Sequence, residues 1–201
     1  MNTTTLQYRK QQAGITLIEV SIGLIIAAIV AAVAFIAFQN NSRRNEVREN
    51  VTAITEIIAE AKQKFGRTNQ YTSLNGANNT TDPAIISNTI PAQIATSGNS
   101  YGVRPILYGS GLDGKVETTP TGTYATLAWG GVDKAQCYDL ISAVAQATNA
   151  IYIVNGSTVS IGGAAGTSVV STTGAINAAT ATSACNGVTT TASLYLVFDR
   201  G

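Results

Sequence analysis

Residues 14–38 read GITLIEVSIGLIIAAIVAAVAFIAF. From Ile15 to Phe38 every position is apolar or small except Thr16, Glu19 and Ser21, and Glu19 is the sole charge. At the helical rise of ~1.5 Å per residue this run is long enough to cross a hydrocarbon core of ~30 Å, so it reads as a membrane span. Arg9 and Lys10 precede it. By the positive-inside rule they hold the amino end in the cytoplasm and send the remainder of the chain outward. Arg43, Arg44 and Arg48 beyond the far end oppose that orientation, although Glu46 and Glu49 lie among them. A secretory signal peptide is one alternative, with Ala31 and Ala34 mimicking a cleavage box, but its apolar region is shorter and leads directly into polar sequence. A plain single-pass anchor is another. It accounts for the hydrophobicity and leaves Glu19 unexplained.

Working outward, no Pro or turn residue follows Phe38. Instead Val47, Val51, Ile54, Ile58, Ala61 and Phe65 recur at spacings of four and three, the pattern of one apolar helix face. Gly66 stands where a C-terminal cap is expected. Ile15 to Phe65 therefore predicts a single helix of about 75 Å at the standard rise, with a transmembrane half and an amphipathic half.

The chain has 201 residues, enough for one ordinary domain and an appendage. It is 45% hydrophobic but only 11% charged. There is no histidine and there are two cysteines, which excludes His-based triads, His metal sites and Cys-rich zinc sites. No cofactor or metal is expected. The net charge of +1 becomes −1 if Arg9 and Lys10 leave with a leader, so there is no basic field for nucleic acid.

Residues 67 to about 123 are rich in Asn, Thr, Gly and Ser, with Pro83, Pro91, Pro105 and Pro120 as punctuation, and predict a long irregular connection with short helices. Asp82 before Pro83 is a candidate cap. Tyr124–Trp129 reads as a strand closed by Gly130 and Gly131, and Asp133 caps a helix running through Thr148. Further strands are expected at Ala150–Val154, Thr158–Ile161 and Ser193–Phe198, with Asn155-Gly156 as a hairpin turn between the first two. The result is an α+β head with an antiparallel sheet. Cys137 falls in the predicted helix and Cys185 in the loop before the last strand. In an exported protein the two form a disulfide, with a pair of buried free thiols as the alternative.

Gly109-Ser110-Gly111-Leu112-Asp113-Gly114 matches a dinucleotide fingerprint, with Asp133 near the distance of a ribose contact. No helical period follows it, and Pro120 interrupts the segment, so a turn is the better reading. Asp113 with Glu117 reads as solvated surface rather than a carboxylate pair for catalysis. Serines and threonines beside glycine lack a histidine base. Asn155-Gly156-Ser157 is a formal glycosylation triplet, of a kind common by chance in such a composition.

Glu19 is the informative residue. A carboxylate within a span costs at least about 2.5 kcal/mol on insertion scales and needs a partner, yet no basic residue lies inside the span. A cut between Gly14 and Ile15 would create an α-amino group one helical turn away. In a staggered stack of subunits, that amine could meet the Glu19 of a neighbour and satisfy two charges in apolar surroundings at once.

Gly14-Ile15-Thr16-Leu17-Ile18-Glu19-Val20, behind a basic leader, closely resembles the processing site of type IV pilins and their relatives. The resemblance implies a leader over 1–14, a transmembrane and filament-core helix over 15–38, its amphipathic continuation over 39–66 and a pilin head over 67–201. It implies cleavage after Gly14 by a prepilin peptidase in the inner membrane, methylation of the Ile15 amine, and Glu19 as the assembly carboxylate. It also implies a C-terminal region closed by Cys137 and Cys185, and a helix beside Cys137 that looks like the type IVb subclass. More particularly, the chain looks similar to major pilins of the thin conjugative pili of enterobacterial plasmids. The partners implied are further copies in a helical homopolymer, the inner-membrane assembly platform and its ATPase, and a minor or tip pilin. The precursor would reside in the inner membrane and the product in an extracellular pilus serving conjugation and adhesion. Ile15 stands where Phe or Met is frequent in relatives, and the helix lacks the proline many of them carry. A type II secretion pseudopilin, a DNA-binding competence pilin and an anchored periplasmic enzyme are the competing functions.

Overall fold

The computed structural model describes residues 16–67, 70–116, 122–163, 166–170 and 175–200. Helix α1 spans Leu17–Ala61 without interruption. The chain divides into two compact units at the Ser42–Arg43 boundary. In the first unit, the large apolar side chains from Leu17 to Phe38 are 49–86% exposed. This stretch is long and apolar enough to cross a membrane.

The second unit is α+β. Strands β1 (Ile106–Ser110), β2 (Tyr124–Asp133), β3 (Ala150–Asn155), β4 (Thr167–Ser168) and β5 (Thr191–Asp199) form one sheet in the order β1-β2-β5-β3-β4. All of its pairings are antiparallel. The remaining part of α1 packs on this sheet. Ile54, Ile57, Ile58, Ala61 and Phe65 join Leu127, Trp129, Leu194, Leu196 and Phe198 in one core, with Val47 and Val51 at its margin. The four-and-three spacing thus describes a real buried face, to which Ile57 adds.

The helix ends near Gly66 by a different device from the expected cap. Beyond Ala61 it widens into a π turn over Lys62–Gly66, and Arg67 after it keeps right-handed helical angles. Gly66 is glycine for space, since a Cβ there would lie 3.2 Å from both the Arg200 carbonyl and the Tyr71 hydroxyl.

The expected irregular stretch contains a 3-10 turn (Gln70–Ser73), α2 (Pro83–Ile86) and α3 (Ala92–Ser97), but also β1, which the sequence reading omitted. Asp82 caps α2 by accepting from the Ala84 N–H at 2.9 Å. Gly130 and Gly131 do not close β2. They form a bulge inside it, between the pairs Trp129↔Leu194 and Val132↔Ala192. Gly131 has φ +82°, and a Cβ on Gly130 would collide with the Ser157 carbonyl. The bulge lets the strand continue to Asp133, whose carboxylate accepts from Ala135 N–H and caps α4 (Lys134–Val144). A 3-10 turn over Ala145–Ala147 completes that helix before Thr148.

Thr158–Ile161 is not a strand, and Asn155-Gly156 does not join two of them. Side chains engage its backbone instead: Ser160 N–H donates to the Tyr195 hydroxyl, and Ser193 Oγ donates to the Thr158 carbonyl. β3 pairs with β5 and the short β4. Cys185 is also relocated, from a loop into helix α5 (Ala178–Gly187), capped by Asn177.

Candidate functional site

The amino end of α1 is organised by Thr16. Its Oγ1 and carbonyl both accept from the Glu19 N–H, at 3.3 and 3.0 Å. Thr16-Leu17-Ile18-Glu19 thus has the T-x-x-E spacing of a capping box directly before the apolar run. The signal is local, a threonine three residues before a glutamate, and is readable in sequence, although sequence reading missed it. Glu19 lies in the first helical turn, where the aligned peptide dipoles favour a negative charge. Among the described residues no ion pair engages its carboxylate. Gly14 and Ile15, the expected cleavage and methylation positions, lie outside the described residues.

In the second unit a polar network fixes α1 to the head. Asn50 is 1% exposed on the helix face otherwise given to Val47, Val51 and Ile54. Its Oδ1 accepts from Trp129 Nε1 at 3.1 Å, and its Nδ2 donates to the Glu46 carbonyl at 2.7 Å and to Ser100 Oγ. One turn earlier, the Glu46 carboxylate accepts from Gln136 Nε2 at 2.7 Å, and Gln136 Oε1 accepts from the Tyr101 hydroxyl at 2.6 Å. Burial, then the Glu46 and Asp133 carboxylates, raise the Tyr101 phenol above its usual range. Asn99 completes the network by donating to the Gly130 carbonyl at the bulge, while its Oδ1 accepts from Tyr101 and Val103 N–H groups. Sequence reading missed these residues. The one available signal was a polar Asn50 at an apolar-face position.

At the other end of the docked helix, Lys62 pairs with Asp199 at 3.3 Å and the Tyr71 hydroxyl donates to the Asp199 carbonyl at 3.1 Å. Asn149 exchanges two hydrogen bonds with the same residue. Thus the end of β5 is held by the helix end through Lys62, by the 3-10 turn through Tyr71 and by the approach to β3 through Asn149. The Cys137–Cys185 disulfide, spanning 48 residues with Cα atoms 5.8 Å apart, links α4 to α5.

Of the fingerprint-like glycines, Gly109 lies in β1 and Gly111 and Gly114 form the turn after it. Gly111 N–H donates to the Lys115 carbonyl and Gly114 N–H to the Gly111 carbonyl, with Gly114 at φ +72°. Asp113 faces its neighbour Lys115 at 3.7 Å on the surface. Glu117 and Pro120 lie outside the described residues. Asp133 serves as the α4 cap, and Asn155 Oδ1 is occupied by the Thr189 N–H and hydroxyl.

Residues 9–35 match the family model described as the prokaryotic N-terminal methylation motif. No curated protein matches the chain. Among solved structures, the chain is similar to the crystal structure of TcpA, a type IV pilin from Vibrio cholerae El Tor biotype. That similarity has 11% identity and a TM-score of 0.49, over 74% of this chain and 98% of that one.

Proposed function

We propose that this chain is a type IV pilin, made as a precursor, cut between Gly14 and Ile15 by a prepilin peptidase, and polymerised through its amino-terminal helix into an extracellular filament. The observation that carries this reading is Glu19: a single carboxylate at the head of an exposed apolar helix, inside the matched methylation motif, without an ion-pair partner among the described residues. Cleavage creates the missing cation at Ile15, and stacking of subunits brings it to a neighbour's Glu19. Methylation of the Ile15 amine keeps its positive charge. The proposed organisation is a leader over 1–14, a membrane and filament-core helix over 15–38, its amphipathic continuation over 39–66 and a head over 67–201. The small side chains Ala27, Ala28, Ala31, Ala32 and Ala34 allow close approach of neighbouring helices in the filament core.

Before assembly the subunit resides in the inner membrane, where it meets the assembly platform and its ATPase. A minor or tip pilin completes the filament. The Cys137–Cys185 closure favours this role over a secretion pseudopilin, whose heads usually lack it. The sequence resemblance to major pilins of thin conjugative pili supports a filament that serves conjugation, cell contact and adhesion. Electron microscopy of sheared surface filaments with mass spectrometry of the subunit tests the core of the reading. The expected subunit begins at Ile15 and carries one added methyl group. Assembled filaments that retain Met1–Gly14 would overturn it. Deleting the coding sequence is expected to abolish mating in liquid, which undiminished transfer would contradict.

A further inference from the structure

Three guanidinium groups follow the apolar run closely: Arg43, Arg44 and Arg48 come five, six and ten residues after Phe38 on the same continuous helix. All three residues are exposed. Among the described residues none of them takes part in an ion pair, although two carboxylates lie within the same two turns. Glu46 is engaged elsewhere, accepting from the buried Gln136 amide at 2.7 Å. Glu49 is the one carboxylate of the segment left facing solvent. Gln39, Asn40, Asn41 and Ser42, between Phe38 and the first arginine, are uncharged. Three arginines against these two carboxylates leave the segment with a net charge of +1, and all three guanidinium groups outside the ion pairs of the described residues.

We infer that Arg43, Arg44 and Arg48 form a clamp for the phosphates of anionic phospholipid headgroups in the leaflet facing the head, held by the subunit while it waits in the membrane. The inference rests on the membrane-spanning reading of residues 15–38. At the helical rise Arg43 and Arg44 stand about 8–9 Å beyond Phe38, at the edge of a headgroup layer about 5–7 Å deep, and Arg48 stands about 15 Å beyond Phe38. Helical side chains tilt toward the amino end, so the long arginine stems carry their charged tips back toward that layer. Planar guanidinium donors match phosphate oxygens in pairs, which a zwitterionic surface rewards less because its choline or amine cancels the phosphate charge. The clamp also gives a reason for arginines that oppose the positive-inside orientation. Once outside, they find a complementary surface.

The experiment uses the full chain reconstituted in lipid nanodiscs containing phosphatidylcholine and phosphatidylglycerol, with native mass spectrometry counting the lipids retained by each subunit. Phosphatidylglycerol is expected to be enriched by about fivefold over its share of the disc, the factor carried by one favourable basic contact at an anionic surface. The enrichment should fall with added salt, since these side chains are exposed. A triple Arg43→Gln, Arg44→Gln, Arg48→Gln variant is expected to return to the disc composition, and the corresponding triple Lys variant to keep most of the enrichment. Unchanged enrichment in the Gln variant would overturn the clamp. So would normal lipid retention by that variant together with lost filaments, which would assign the arginines to carboxylates of a neighbouring subunit. Free phosphate that abolishes enrichment at equal ionic strength would also overturn the clamp, in favour of an unspecific anion site. Failure of the wild-type chain to enter discs at all would instead remove the spanning reading on which the inference rests.

Discussion

Glu19 and Asn50 are both polar residues on apolar stretches of one helix, and their surroundings give them opposite roles. Asn50 is satisfied within the head: both amide donors and its carbonyl are used, and Trp129 depends on it for a partner. Removing it strands a buried indole N–H, which costs roughly 1–3 kcal/mol. Asn50→Ala is therefore expected to lower the unfolding free energy by about that amount, read from urea titration of Trp129 fluorescence, the chain having one tryptophan. Exposed Asn41→Ala, by contrast, should change it by less than about 0.5 kcal/mol. An Asn50→Ala chain as stable as the parent would show that the network adds nothing. Glu19 has no comparable support in its own chain, so Glu19→Val should insert normally, as measured by carbonate extraction. It should nevertheless yield few filaments in the sheared fraction, and normal piliation would refute charge pairing as the assembly signal.

At the scale of elements, legibility followed how each segment is held. The buried face of α1 could be read because Ile54, Ile58, Ala61 and Phe65 repeat at helical spacing and their burial produces the element. The capped starts of α2 and α4 were equally readable, since Asp82 and Asp133 act on the residues just after them. β1 was not, because a five-residue strand carrying Gly109 is defined by its pairing to β2 and by the Asn75–Tyr108 bridge, neither of which is local. Helix α5 was hidden for a related reason: AATATSACNG has no apolar stripe beyond Ala181 and Cys185. Of the candidate site, Glu19 stands out as a charge in an apolar run and Thr16 acts on it only three residues away, whereas Gln136 and Asn99 reach Glu46 and Gly130, partners that only the fold brings near. Because α5 has so little apolar surface, the disulfide to α4 carries much of its attachment. The chain-entropy model assigns a bridge of this span roughly 4 kcal/mol. A Cys137→Ser, Cys185→Ser double variant is thus expected to lose several kcal/mol of head stability and to expose α5 to protease first. Equal resistance of α5 in the two proteins would count against that role.

For the molecule as a whole, the head has its own buried core while the large side chains of the apolar run are exposed, so each can be perturbed without the other. Tyr71 and Tyr101 brace opposite ends of the docked helix, and Tyr108 donates to the Gly114 carbonyl beneath the β1 turn. Burial is the largest cause raising all three phenols above their usual range. A phenol whose folded pKa is raised contributes stability that is complete below its unfolded value of about 10 and is lost as pH rises through the folded value. The head should therefore hold its stability through neutral pH and weaken steadily above about pH 10. Trp129 fluorescence along an alkaline series measures this, and a flat profile would contradict it. The apolar run behaves otherwise. Ile25 is 60% exposed, so Ile25→Asn removes nothing from the core. Head stability in detergent should then change by less than about 0.5 kcal/mol, the range of surface substitutions. The same change places an amide in the middle of the proposed span, where hydrocarbon offers it no hydrogen-bond partner, so membrane insertion and filament yield should both fall. If Ile25→Asn instead destabilised the head by more than about 1 kcal/mol while leaving insertion intact, the run would belong to the head's own core, and neither a membrane nor a filament would be needed to cover it.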